Sequence, residues 1–115
     1  MNKLLVAVGS INGALAVAAG AFAAHALRER LAARPLEIFE TAAHYQMYHA
    51  LAMILAAFVA SGRTAGWIFQ GGIVLFSGSL YALALSDIKA LGAITPIGGL
   101  AFLVGWVWLA VSALR

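Results

Sequence analysis

The residues that could do chemistry are concentrated in one segment, residues 37–49, with the sequence EIFETAAHYQMYH. On a helical wheel of about 100° per residue, most of its polar side chains fall within half of the circumference. They are Glu37, Glu40, Thr41, His44, Tyr45, Tyr48 and His49, whereas Gln46 lies off this main polar face. Carboxylate, imidazole and phenol groups on one helix face can bind a ligand, relay protons or ligate a metal.

Two polar residues of the preceding apolar stretch extend this set. His25 lies near the end of that stretch, and a hairpin of two helices places it on the same side of a membrane as residues 37–49. Three histidines, two tyrosines and a glutamine can then gather near one membrane interface. Asn12 lies inside the stretch, where we expect its side chain to hydrogen-bond to a neighbouring helix or to line a pore.

These residues allow four interpretations. The polar side chains can anchor the helices and fix the bundle by hydrogen bonds, as in a structural or accessory protein. They can bind a small ligand or a lipid head group, line a small oligomeric transporter or channel, or hold haem. The candidate ligand-binding residues are His25, His44, Tyr45, Gln46, Tyr48 and His49.

Enzymatic and metal chemistry have little support in the sequence. His44 and His49 are five positions apart, so they do not share one helix face as residues three or four apart do. No phosphate-binding glycine loop and no pairing of a nucleophile with a base is recognisable. We therefore expect no enzymatic activity, no metal and no cofactor.

The bulk composition places these residues in a membrane protein. Of 115 residues, 64% are hydrophobic and 10% are charged, whereas an ordinary soluble domain carries about 25% charged residues. So few charges cannot cover the surface of a small soluble domain, which argues against a soluble enzyme and a disordered chain. The net charge is only +3, and the basic residues are spread along the chain instead of forming one patch. We therefore expect no nucleic acid as a partner, and we expect the small positive excess to meet membrane lipids.

Four uncharged stretches are each long enough to cross a bilayer as a helix. They cover residues 4–27, 41–60, 67–85 and 97–114. Helices satisfy their own backbone in lipid, and short links favour antiparallel neighbours. The predicted fold is therefore one all-α domain over residues 1–115, an integral membrane bundle of four transmembrane helices that run up-down-up-down.

Several details of these helices are also predicted. The second helix should begin near residue 36, and Thr95-Pro96 is typical of an N-cap followed by the first helical residue. Small residues indicate faces where helices approach closely. They are Gly9, Gly13, Ala16 and Gly20 in the first stretch, Gly71, Gly78 and Ala82 in the third, and Gly98, Ala101 and Gly105 in the fourth. Trp106 and most other large aromatic residues are typical of a belt at the membrane interface. The alternative for the first stretch is a cleaved signal peptide, but its apolar run exceeds the roughly 7–15 residues of such a segment.

Two motifs make the chain resemble a known family. GAFAAHAL at residues 20–27 and FETAAHYQMYHALAM at residues 39–53 are similar to the YgdD-like family of small inner-membrane proteins, domain-of-unknown-function family 423. The resemblance implies a multi-pass protein of the bacterial inner membrane without an established activity. It marks His25, Tyr45, Gln46, Tyr48 and His49 as motif positions and assigns them no role. A homo-oligomer or another membrane protein is a possible partner.

Overall fold

The computed structural model describes all 115 residues and contains helices and no strand. Its four helices are α1 (Lys3–His25), α2 (Ala33–Ala57), α3 (Arg63–Ser86) and α4 (Thr95–Ala113). Single 3₁₀ turns at Leu27–Glu29 and Lys89–Ala93 lie in two of the connections. The all-helical prediction is confirmed. The first, third and fourth helices are long and apolar enough to cross a membrane, whereas α2 is equally long but more polar.

Two helix starts differ from the prediction. The second helix begins at Ala33, ahead of residue 36, because Pro35 is accepted in a first turn whose N–H groups have no partner. The fourth helix begins at Thr95 itself. Its hydroxyl lies 2.6 Å from the Ser79 hydroxyl, so Thr95 links α4 to α3 and does not cap its own helix.

The helices α1 and α2 lie side by side and run in opposite directions. At one end the Asn2 amide donates to the Ala57 carbonyl at 2.9 Å. At the other end the rings of Phe22 and Phe39 meet edge to face. Between them, Gly9 lies so close to α2 that an added Cβ would be 3.0 Å from the Ala50 carbonyl oxygen. Small residues permit such approach in the absence of water.

The predicted small-residue faces are correct at some glycines and wrong at others. Added Cβ atoms at Gly9, Gly98 and Gly105 would collide with a neighbouring helix. By contrast, Gly20 and Gly71 have no atom within 4 Å of such a Cβ. Glycine content alone therefore did not identify the contact faces.

A π-helical turn, Ile73–Ser77, interrupts α3. Its Ser77 hydroxyl donates to the Ala42 carbonyl of α2 at 2.8 Å. On another side of the turn, an added Cβ at Gly98 of α4 would collide with the backbone nitrogen of Phe76. The wide turn thus lies where both α2 and α4 approach α3.

Candidate functional site

Four polar side chains form a continuous hydrogen-bonded chain between α1, α2 and α3, which we call the buried polar chain. Tyr81 donates its hydroxyl proton to Gln46 Oε1 at 2.7 Å. Gln46 Nε2 donates to Asn12 Oδ1 at 3.1 Å, and Asn12 Nδ2 donates to Gln70 Oε1 at 2.6 Å. Asn12 and Gln46 are each only 6% exposed. The predicted bond from Asn12 to a neighbouring helix is therefore present.

The buried polar chain is fully satisfied. No buried side-chain nitrogen or oxygen lacks a hydrogen-bond partner. Buried amides without partners would cost several kcal/mol in an apolar interior, about 2–7 kcal/mol by transfer measurements. The hydrogen bonds of the buried polar chain join three helices at positions far apart in the sequence. The buried polar chain therefore fixes how the three helices are rotated against one another.

His49 forms a second polar connection, between α2 and α4. Trp106 Nε1 donates to His49 Nε2 at 3.1 Å, and His49 Nδ1 lies 2.8 Å from the Tyr45 carbonyl oxygen. Because an indole N–H can only donate, Nε2 must carry the lone pair, and Nδ1 must carry the proton. The Phe102 ring stacks on the imidazole with 3.5 Å between ring centroids. Both ring nitrogens are therefore occupied, and neither is free to ligate haem or a metal.

We expect Trp106→Phe to lower the stability of the folded protein by about 1 kcal/mol, because it leaves the buried His49 Nε2 without a donor. The measurement is the thermal unfolding midpoint in detergent. Trp108→Phe is the matched control, since Trp108 lies two residues further along α4 and makes no side-chain hydrogen bond. Equal midpoint shifts in the two variants would contradict the role given to the Trp106–His49 bond.

A lateral groove opens beside His49, between α2 and α4. Its volume is about 440 Å³, within the roughly 300–1,000 Å³ of small-ligand sites. Its lining residues are Tyr45, Tyr48, His49, Phe76, Gly99, Phe102, Leu103 and Trp106. The rings of Tyr45 and Phe76 are 4.8 Å apart, and those of Phe76 and Phe102 are 5.3 Å apart. Aromatic side chains therefore form most of the groove wall.

The structure divides the candidate residues among different places. His49 and Gln46 are buried, Tyr45 and Tyr48 line the lateral groove, and His44 points outward from α2.

The expected gathering of three histidines is wrong. His25 is the last residue of α1 and is exposed beside the start of α2, whereas His49 lies about 24 Å along α2 from its first residue, Ala33. No three acidic or histidine side chains lie close enough to hold a metal ion.

Three participants were missed in the sequence. Two of them, Gln70 and Tyr81, are polar residues within the third apolar stretch. Their polarity could have identified them, because a polar side chain in a membrane helix needs a hydrogen-bond partner. The third is Trp106, which the sequence predicts to belong to an aromatic belt at the membrane interface. It instead lies near the middle of α4, and its indole N–H donates to His49.

Comparisons with known proteins identify the family of this chain. The family described as "Protein of unknown function (DUF423)" matches residues 19–99. The chain belongs to this family. Among DUF423-type relatives, the UPF0382 membrane protein YwdK of Bacillus subtilis is 45% identical, with 98% of both chains covered. A UPF0382 membrane protein of Staphylococcus saprophyticus is 46% identical, also over 98% of both chains.

The resemblance drawn from the two motifs is thereby confirmed. The relatives of this DUF423 protein are named membrane proteins, and neither their names nor the family description states an activity. No solved structure matches the chain.

Proposed function

We propose that this protein is a four-span accessory protein of the bacterial inner membrane, not an enzyme, that holds one lipid-soluble ligand in the lateral groove. The ligand class is an apolar chain, either a membrane lipid acyl chain or a small molecule of similar character. The observation behind this proposal is the lateral groove, whose walls are mostly aromatic and whose volume is that of a small-ligand site.

The second helix has to cross the membrane for this placement. Its 25 residues span about 38 Å, enough for a hydrocarbon core of about 30 Å. It also lies against α1 from the Asn2–Ala57 hydrogen bond to the Phe22–Phe39 contact. A helix paired along its length with an apolar spanning helix shares its depth. This supports an up-down-up-down bundle in which the most polar helix turns Gln46 and His49 inward.

The groove offers a ligand both apolar contact and polar orientation. Tyr45 and Tyr48 are partly exposed, and their hydroxyls have no hydrogen-bond partner within the chain. Ligand sites typically combine apolar walls with a few such groups. The depression along the outer side of α4 differs, because a single helix and the residue beyond its C-cap form it. Its lining residues are Leu103, Val104, Val107, Trp108 and Val111 of α4, together with Arg115. That surface lacks a second wall.

The test is photolabelling of the reconstituted protein with palmitic acid that carries a diazirine in mid-chain. We expect labelling of Tyr45, Tyr48 and Phe102 to saturate as the probe concentration rises, and labelling along the outer side of α4 to rise in proportion. Gly99→Leu should reduce the groove labelling several-fold. An added Cβ at Gly99 meets only the Phe76 ring, at 3.8 Å, so the longer side chain fills the groove without a backbone collision.

Gly71→Leu is the control for this experiment, because a Cβ at Gly71 has no neighbour within 4 Å. It should leave the groove labelling unchanged. Labelling of the groove that never saturates, or that survives Gly99→Leu at full strength, would show that the lateral groove holds only bulk lipid.

A further inference from the structure

One face of α2 is left unpartnered by the rest of the chain. Glu40, His44, Leu51 and Leu55 lie within about 60° of one another around the helix, and all four are exposed. We call this face the outer stripe. The residues that α2 buries against the other helices, such as Ala42, Gln46 and His49, lie elsewhere on its circumference.

The outer stripe carries two polar groups with no partner in the chain. The ion pairs of the protein are Arg34–Glu37 and Lys89–Asp87, so Glu37 has a partner near the start of α2 and Glu40 has none. His44 stacks loosely on the Tyr48 ring, with 6.4 Å between centroids, and makes no hydrogen bond. Although they are one turn apart, Glu40 and His44 do not bond to each other.

With α2 centred in the bilayer, which places its crossing nearer the helix start than the predicted stretch 41–60, both groups lie at depths where lipid offers no hydrogen bond. Measured along α2, His44 is about 2 Å and Glu40 about 8 Å from the helix midpoint. A hydrocarbon core of about 30 Å extends roughly 15 Å to either side of its centre. Ionisable side chains at such depth nearly always face protein or a water-filled cavity. This step rests on the membrane placement proposed above.

We infer that the outer stripe is the interface of a homodimer, in which a second copy of this chain packs its own outer stripe against the first. Two copies with the same membrane orientation are related by a two-fold axis along the membrane normal, so each face meets itself. The stripe is complementary to itself in this arrangement. It carries an acceptor, Glu40, and a donor, His44, one turn apart, so each carboxylate can accept a hydrogen bond from an imidazole N–H of the other copy.

Two further features favour a second copy over other occupants. Lipid head groups lie at the membrane surface and do not reach the level of His44. Beyond His44, the exposed Leu51 and Leu55 continue the same face. They provide apolar packing alongside the polar pairs.

The test is disulfide cross-linking in membranes, for which the natural chain is suited because it contains no cysteine. Leu51→Cys lies on the outer stripe, and Ile11→Cys on the outer side of α1 is the control. The two positions are matched in exposure, because Leu51 is 55% exposed and Ile11 is 60% exposed. With copper phenanthroline as oxidation catalyst, we expect a cross-linked dimer from Leu51→Cys and several-fold less from Ile11→Cys.

A second pair of variants tests the polar contacts. In the Leu51→Cys background, Glu40→Ala should weaken dimerisation about tenfold, since it removes two interhelical hydrogen bonds of about 0.7 kcal/mol each. Glu37→Ala should change it less than twofold, because Glu37 lies on the same side of α2 but about 12 Å from the helix midpoint and beside Arg34, its partner within the chain. Analytical ultracentrifugation of the unmodified protein in detergent gives an independent measure of its oligomeric state.

Several outcomes would overturn the homodimer. The first is equal cross-linking of the Leu51→Cys and Ile11→Cys variants. The second is a protein that stays monomeric in lipid, with no cross-link at Leu51→Cys. The third is a Leu51→Cys variant that, in native membranes, cross-links only to a different protein. Alkaline carbonate washing separates this failure from that of the proposed function. Release of the protein would contradict its membrane placement, whereas retention without cross-linking would contradict the second copy alone.

Discussion

Gly98→Ala is expected to destabilise the folded protein by about 3 kcal/mol, a cost at the upper end for overpacking. The added Cβ would collide with the Phe76 backbone nitrogen, and it would lie 2.7 Å from the Phe76 Cα and 2.8 Å from the Leu75 carbonyl carbon. Backbone atoms cannot rotate away as a side chain can. The helices α3 and α4 would have to separate at the π-helical turn, and the nearby groove residues Phe76 and Phe102 would separate with them.

The measurement is the free energy of unfolding in detergent, followed by circular dichroism. Gly71→Ala is the matched control, because it makes the same change inside α3 at a position with open space around the new methyl group. That control should be neutral or slightly stabilising, since alanine favours a helix more than glycine does. Similar losses in both variants would mean that α3 and α4 do not approach closely at Gly98.

Gln46→Met is expected to cost about 3 kcal/mol. It leaves the Tyr81 hydroxyl without its acceptor and Asn12 Oδ1 without its donor, and each buried orphan costs about 1–3 kcal/mol. The same change at Gln70 is the control. Asn12 Nδ2 keeps the Val8 carbonyl as acceptor at 3.1 Å when Gln70 is lost, so Gln70→Met should cost about 1 kcal/mol.

A double-mutant cycle sharpens this experiment. Tyr81→Phe removes the hydroxyl that Gln46→Met would orphan, so the two changes together should cost less than the sum of the single changes, by about 0.5–3 kcal/mol. The free energies of unfolding of the parent and the three variants provide the cycle. Strict additivity would show that the Tyr81–Gln46 bond contributes nothing to stability.

Helix positions were predictable from the sequence because charge is excluded from lipid-facing segments. The stretch at residues 67–85 lies within α3, and the stretch at residues 97–114 nearly coincides with α4. The π-helical turn was not predictable in this way. It depends on how α2 and α4 contact α3, which a hydropathy pattern does not record.

The rotation of each helix was much harder to predict than its position. In water, apolar residues mark the inner face of a helix, but in lipid both faces are apolar and this signal is lost. The helical wheel correctly placed His44 apart from Gln46, yet it could not tell which of them faces the other helices. The structure turns Gln46 inward and His44 outward. Only long-range partners such as Tyr81 and Trp106 decide this.

The π-helical turn also changes the geometry of α3 as a whole. In an uninterrupted α-helix, a separation of eleven residues is just over three full turns, so Gln70 and Tyr81 would point in nearly the same direction. Accommodating an additional residue offsets the later half of the helix by about 100°. The first half of α3 can then hydrogen-bond to α1 through Gln70, while the second half hydrogen-bonds to α2 through Tyr81. The single helix α3 thereby contacts two differently placed neighbours, as two short helices joined by a loop would, while its backbone stays helical throughout.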